Sequence, residues 1–183
     1  MKQRMCSLYL ALVLLLSLAL PTAAAGTLPF TDVKESDWFY SYVKTMYDNE
    51  LVSGTTPTTF SPQDTVTLGE ALKFILNAAG YTAPTTSGKN WASGYYQLAQ
   101  EKGFLNSSWS LGLNDAMNRL QIAELIVNVL GVERKQQTAS PFTDTSDVAA
   151  LILSDHGIFE GTTERDGKTY FYPQRNISRA EIS

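Results

Sequence analysis

Two arginines stand where an anion could be held. Arg119 and Arg179 each follow a helix-capping residue, Asn118 and Ser178, and so take the first helical position. A helix N-terminus carries partial positive charge, so a cation there is unfavourable by about 0.3–1 kcal/mol. Free backbone donors and a guanidinium at one helix end make a site for a carboxylate or a phosphate. The same placement also lets each arginine pair with a nearby carboxylate and serve only the fold. Trp38 and Trp91 open two other predicted helices. Their rings could stack on sugar C–H groups or join the core, and both readings stay open. Asp32 and Asp144 end a twice-used Phe-Thr-Asp opener, which they cap or from which they reach a sugar hydroxyl. Gly54 and Gly161 sit in matching turns and are expected to supply a positive φ there.

Groups suited to catalysis are scarce. His156 is the single histidine, and the single cysteine, Cys6, lies in an N-terminal segment expected to be removed. Cys–His chemistry is thereby excluded, as are a disulfide framework and a thiolate metal site. Ser154-Asp155-His156 is contiguous, whereas catalytic triads assemble from separated segments. Paired carboxylates for glycoside hydrolysis are not excluded by residue type. Most acids here, however, are accounted for by helix caps and helix surfaces. The expectation is a protein that is not an enzyme and holds neither cofactor nor metal.

The elements that position these residues recur. Phe60-Ser61-Pro62-Gln63-Asp64-Thr65-Val66-Thr67 resembles Phe171 to Ser178 without a gap, and Leu111 to Asn118 is a weaker copy. Thr67, Asn118 and Ser178 are favourable N-caps, with Glu70, Gln121 and Glu181 three places on. That is the capping-box pattern, in which cap and third residue each satisfy an orphan backbone donor. Leu68, Ala71, Leu72, Ile75 and Leu76 then recur at helical spacing, as do Leu120, Ala123, Ile126, Val127 and Leu130. Gly80 and Gly131 are placed to end these helices. Earlier helices are predicted over 38–49, 91–102 and 148–156. Each leads to a matching turn, at Leu51 to Gly54, Phe104 to Ser107 and Ile158 to Gly161. Asn77 and Asn128 share one offset. A unit this small buries little by itself, so the copies are expected to pack together.

The N-terminus predicts the compartment. Lys2 and Arg4 precede an apolar run from Leu8 to Leu20, and Ala23-Ala24-Ala25 follows. This is the pattern of a secretory signal peptide over 1–25, cut near Ala25–Gly26. The run is shorter than the ~20 residues a membrane span needs, so no transmembrane segment is expected after cleavage. Loss of Lys2 and Arg4 takes the net charge from −4 to −6. Such a chain lacks the basic surface of a nucleic-acid binder, and an anionic ligand requires a locally positive site.

The repeated unit resembles the S-layer homology domain. That family carries an opening Phe-x-Asp, a Trp beginning the first helix, a Gly-containing turn, a Phe-x-Pro loop and a Thr-Arg-Ala-Glu signature. The signature positions here read Thr67-Leu68-Gly69-Glu70, Asn118-Arg119-Leu120-Gln121 and Ser178-Arg179-Ala180-Glu181. The resemblance implies a mainly α fold of helix-loop-helix repeats about a pseudo-threefold axis. The boundaries implied are 26–83, 84–132 and 142–183, with a linker over 133–141. It also implies a secreted protein of the bacterial cell wall or S-layer. The partner implied is secondary cell-wall polysaccharide, often pyruvylated, held non-covalently in grooves between repeats with the signature Arg at its acidic group. The ligand-binding set expected is Arg179, Arg119, Trp38, Trp91, Asp32, Asp144, Gly161 and Gly54. Three departures qualify it. Leu68 replaces the first Arg, the middle copy lacks the opener and its Phe-x-Pro, and most of the last helix falls beyond Ser183, as in a fragment or truncated product. The alternative is a degenerate scaffold with a structural or protein-interaction role and no glycan.

Overall fold

A computed structural model describes residues 27–85, 90–133 and 139–183. The signal-peptide reading, its cleavage point and Cys6 lie outside the described residues, as does part of the linker predicted over 133–141. The fold is mainly helical. The helices are α1 (Tyr40–Asp48), α2 (Leu68–Ala78), α3 (Ser93–Glu101), α4 (Arg119–Leu130) and α5 (Val148–Asp155). One short hairpin follows, β1 (Thr162–Thr163) and β2 (Thr169–Tyr170), with Thr162 opposite Tyr170. The sequence reading did not include this hairpin, although Asp166-Gly167 at its turn is a recognised hairpin signal.

The capping boxes start the helices as expected. In α2 the Thr67 N–H donates to Glu70 Oε2 at 2.9 Å, and Thr67 Oγ1 accepts the Glu70 N–H at 3.4 Å. In α4 Asn118 and Gln121 make the same reciprocal pair at 3.0 and 2.9 Å. Ser178 and Glu181 form it a third time at 2.9 and 3.3 Å. Gly131 closes α4 in the left-handed region at φ 60°. Asn128 donates to the Phe104 carbonyl and Asn77 to that of Leu51, so each capped helix holds the turn before it.

Of the earlier helices, α1 and α3 begin two residues later than predicted, whereas α5 begins at Val148 as predicted. Neither α1 nor α3 has a side-chain cap. Trp38 and Trp91 therefore stand ahead of the first turn and off the apolar stripe. They are 63 % and 60 % exposed, which overturns the core reading for both. The buried core is instead built from Val43, Phe60, Leu72, Leu76, Met117, Ile122, Leu125, Leu153, Phe171 and Ile177.

The three copies are closed on one another through backbone. The Val66 N–H donates to the Ile177 carbonyl, Ile177 N–H to Met117, and Met117 N–H to Val66, at 3.0, 3.3 and 3.0 Å. The chain of donors returns to its start. The adjoining bonds repeat the scheme. Leu68 and Gly69 N–H donate to the Asp115 and Leu113 carbonyls, Arg119 and Leu120 to Arg175 and Pro173, and Arg179 and Ala180 to Asp64 and Pro62. A helix end has four N–H groups without intrahelical partners. Here the loop of another copy takes the first two, and the cap side chain takes the third.

Candidate functional site

That accounting alters the chemistry expected at the arginines. The helix-end donors proposed for an anion are already occupied by carbonyls of the neighbouring loop. Only side chains remain to bind one.

Arg179 is enclosed. It is 2 % exposed. Its Nε donates to the Phe60 carbonyl at 2.8 Å, its Nη2 to the Ser53 carbonyl at 3.0 Å, and its Nη1 pairs with Glu70. The guanidinium lies over the Phe60 ring at 4.6 Å and the Phe74 ring at 5.2 Å. Burial pushes its pKa down, and Glu70 offsets part of that. An arginine keeps its charge regardless.

In front of Arg179 lies a cavity of about 460 Å³, lined by Ser53, Gly54, Thr55, Glu70, Lys73, Phe74, Trp91 and Arg179. Three of the residues singled out from sequence, Arg179, Gly54 and Trp91, thus come together. They are joined by Lys73, which sequence reasoning missed. Its Nζ donates to Ser53 Oγ at 2.7 Å and lies 5.9 Å from the Trp91 ring centroid. Its pKa is lowered, first by burial and then by Arg179, with Glu70 opposing. An exposed ring, a half-buried ammonium and two hydroxyls face one space.

Arg119 holds the equivalent place against the last copy and is less constrained. Its Nη2 donates to the Glu160 carbonyl at 2.7 Å, beside Gly161. Its guanidinium lies 4.6 Å from the Phe159 centroid and 4.9 Å from that of Phe171. Glu181, the counterpart of Glu70, is engaged by Arg175 instead. Among the described residues, Arg119 Nε is the one buried side-chain polar atom without a hydrogen-bond partner.

The two aspartates have identical work. Asp32 accepts the N–H groups of Phe60 and Ser61 at 2.8 and 2.7 Å. Asp144 accepts those of Phe171 and Tyr172 at the same distances. Each tethers an opener to its Phe-x-Pro loop, where Ser61 and Tyr172 both have φ 58°. Trp38 stands away from both arginines, packed edge-on against Phe39.

The glycine expectation is corrected. Neither Gly54 nor Gly161 has a positive φ; both are required for space. A Cβ on Gly54 would lie 2.4 Å from the Thr56 and Thr59 carbonyl oxygens and 2.6 Å from Phe30 Cε1. On Gly161 it would meet Thr169 Cγ2 at 2.4 Å and Phe142 Cε1 at 2.7 Å. The middle copy, without an opening Phe, carries Ser107 there.

Among the described residues no group of His, Cys, Asp and Glu is placed to hold a metal ion, and no helix is long and apolar enough to cross a membrane.

Comparison with known proteins adds an independent line. Residues 29–72 and 141–182 match the S-layer homology domain. An endoglucanase from a Bacillus species is 32 % identical over 202 residues, covering 96 % of this chain and 21 % of its own length. The middle cell wall protein of Brevibacillus brevis is 35 % identical over 109 residues, or 59 % of this chain and 10 % of its own. The surface-layer 125 kDa protein of Lysinibacillus sphaericus is 28 % identical over 159 residues, 80 % and 13 % respectively. The chain thus spans about a fifth or less of the length of these relatives.

Proposed function

The chain carries S-layer homology domains, and from that premise we propose that it is a secreted cell-surface module that grips an acidic wall polysaccharide between its repeats. Its three repeats, 26–83, 84–132 and 142–183, stand about a pseudo-threefold axis, a reading supported by the cyclic backbone bonds among Val66, Met117 and Ile177. The observation that carries the function is the meeting of Lys73, Trp91 and Arg179 at one cavity.

The division of labour follows from the geometry. Trp91 offers an exposed face to a pyranose ring. Lys73 supplies its ammonium to the ligand's carboxylate, such as a pyruvate ketal. Arg179 sets the potential of the cavity floor and fixes its shape, because its nitrogens are bound to protein. Gly54 lets the turn pack against the Thr56 and Thr59 carbonyls and the Phe30 ring, and so shapes the cavity wall from behind. Asp32 and Asp144 shape the loops and stay out of contact, and Trp38 belongs to another surface. Arg119, beside Gly161, forms a second cationic site. The module itself is non-catalytic, and the similarity to an endoglucanase reflects a shared anchoring part rather than shared chemistry.

A scaffold without glycan remains the second reading, favoured by the complete engagement of Arg179 within the protein. Sedimentation with purified wall sacculi separates the two. Lys73→Ala is expected to weaken retention at least tenfold, and removal of pyruvate from the wall by mild acid is expected to do the same. Retention unaffected by either treatment would overturn the site, and no retention of the unaltered chain would support the scaffold.

A further inference from the structure

The groove of the middle repeat has been rebuilt chemically. Its position is equivalent to that of Arg179, because Leu68 N–H donates to Asp115 just as Arg179 N–H donates to Asp64. Three charged positions differ together. Leu68 stands for the arginine, Gln121 for its partner Glu70, and Glu124 for Lys73. The cations are gone, and a carboxylate has entered.

The groove has not closed. A cavity of about 330 Å³ remains, and its lining mixes apolar Leu68 and Leu111 with Tyr96, Gln100, Ser107 and Trp109. The Glu124 carboxylate holds the groove's side chains in place. Its Oε2 accepts the Trp109 indole N–H at 3.1 Å and the Asn106 amide at 3.0 Å. The indole is thereby oriented and its only donor is spent, so it can offer a ligand only its face. Gln100, Tyr96 and Ser107 keep polar groups at the rim. An anion finds no cation among the lining residues and a carboxylate close by. A purely apolar ligand would cover amide and hydroxyl groups without replacing their water, which costs free energy. A ring with one C–H face and several hydroxyls satisfies both the apolar and the polar lining.

We propose that the Leu68 groove is a separate binding site for an uncharged sugar, with Trp109 and Tyr96 against its ring and Gln100 at its hydroxyls. The choice of sugar as ligand class rests on the reading that the repeats grip wall glycan; the choice of an uncharged one rests on this groove alone. One chain would then read two kinds of residue along a polymer, acidic at Lys73 and neutral at Trp109.

The three tryptophans make the test direct, since each has an indole N–H resonance that Trp→Phe variants assign. The labelled full chain is titrated with chitotriose and with maltotriose, both neutral, and with N-acetylmuramic acid. The expected result is a saturable shift of the Trp109 resonance with at least one neutral trisaccharide and none with the acid. Gln100→Ala and Tyr96→Ala, both at the groove rim, should each weaken that response several-fold with other resonances unmoved. The proposal is overturned if Trp109 is silent to both trisaccharides up to about 10 mM, a level that registers a millimolar site. A response undiminished in both variants, or a stronger response to the acid, overturns it equally. Trp91 reports separately on the acidic site. Its silence toward N-acetylmuramic acid alongside a Trp109 response would count against the Lys73 site and leave this one standing.

Discussion

Arg179 and Glu70 illustrate how a buried charge depends on its partner. Removing one member of a buried pair costs about 3–5 kcal/mol, because the other is left uncompensated. Arg179→Leu is therefore expected to lower stability by about 3 kcal/mol in urea unfolding, given that Glu70 keeps some access to water. The middle repeat already carries the answer to that loss, Leu68 with Gln121. Adding Glu70→Gln to Arg179→Leu should recover a large part of the stability, and a double variant no better than the single would refute the pairing. Gly54 makes a different demand. Gly54→Ala forces a methyl against two carbonyl oxygens and the Phe30 ring, and overpacking of this kind costs about 1–3 kcal/mol. Ser107→Ala, at the matching place without an opening Phe, should leave the melting temperature nearly unchanged.

Among elements, the ends of the first helices carry an uneven residue. Gly103 and Gly157 follow α3 and α5 with φ 71° and 67°, while Glu50 takes the same place after α1 at φ 59°. A side chain in the left-handed region is held there at a cost of about 1 kcal/mol or more. Glu50→Gly is expected to stabilise the protein by about 0.5–1 kcal/mol, less than the full strain because glycine also loosens the unfolded chain. Chemical denaturation of the variant checks this. The capped helices were legible in the sequence because caps, periodic apolar residues and closing glycines act within a few residues of each other. The tie from Asn77 and Asn128 to the preceding turns could be located only as a shared offset. What the sequence could not show depends on contacts between copies. The helix-end donors looked free until Asp64, Asp115 and Arg175 were seen to take them. Lys73 has the pattern of a solvated lysine on a helix surface, and gains significance only when Trp91 from the next repeat is set beside it. The core reading of Trp38 and Trp91 fails partly because helices without a side-chain cap start later than their apolar spacing suggests.

At the scale of the whole molecule, net negative charge sets the background against which the proposed acidic polymer would bind. On that proposal the local cations have to outweigh it, and the protonation of Lys73 sets the working pH. Lys73 has a folded-state pKa below its ordinary value of 10.5. The charged form is thus complete below that lowered pKa and is lost as pH rises through it. Burying the charged lysine costs stability at neutral pH, and that cost is relieved on the alkaline side. Retention on acidic glycan should accordingly fall with rising pH at a midpoint below 10.5, whereas Lys73→Arg should hold the glycan into more alkaline buffer. Sacculus sedimentation across a pH series measures both.

The ring through Val66, Met117 and Ile177 also bears on how the protein would withstand being pulled. The last copy is joined to both others at that ring, so no copy hangs from a single neighbour. Tension applied near Ser183 would travel only a few residues before reaching Arg179, two of whose partners, Ser53 and Glu70, line the cavity proposed for an acidic sugar. Load and grip therefore share one set of bonds. A bound sugar that braces those walls would raise the force needed to peel the chain, and a tug strong enough to free Arg179 would release the sugar in the same event.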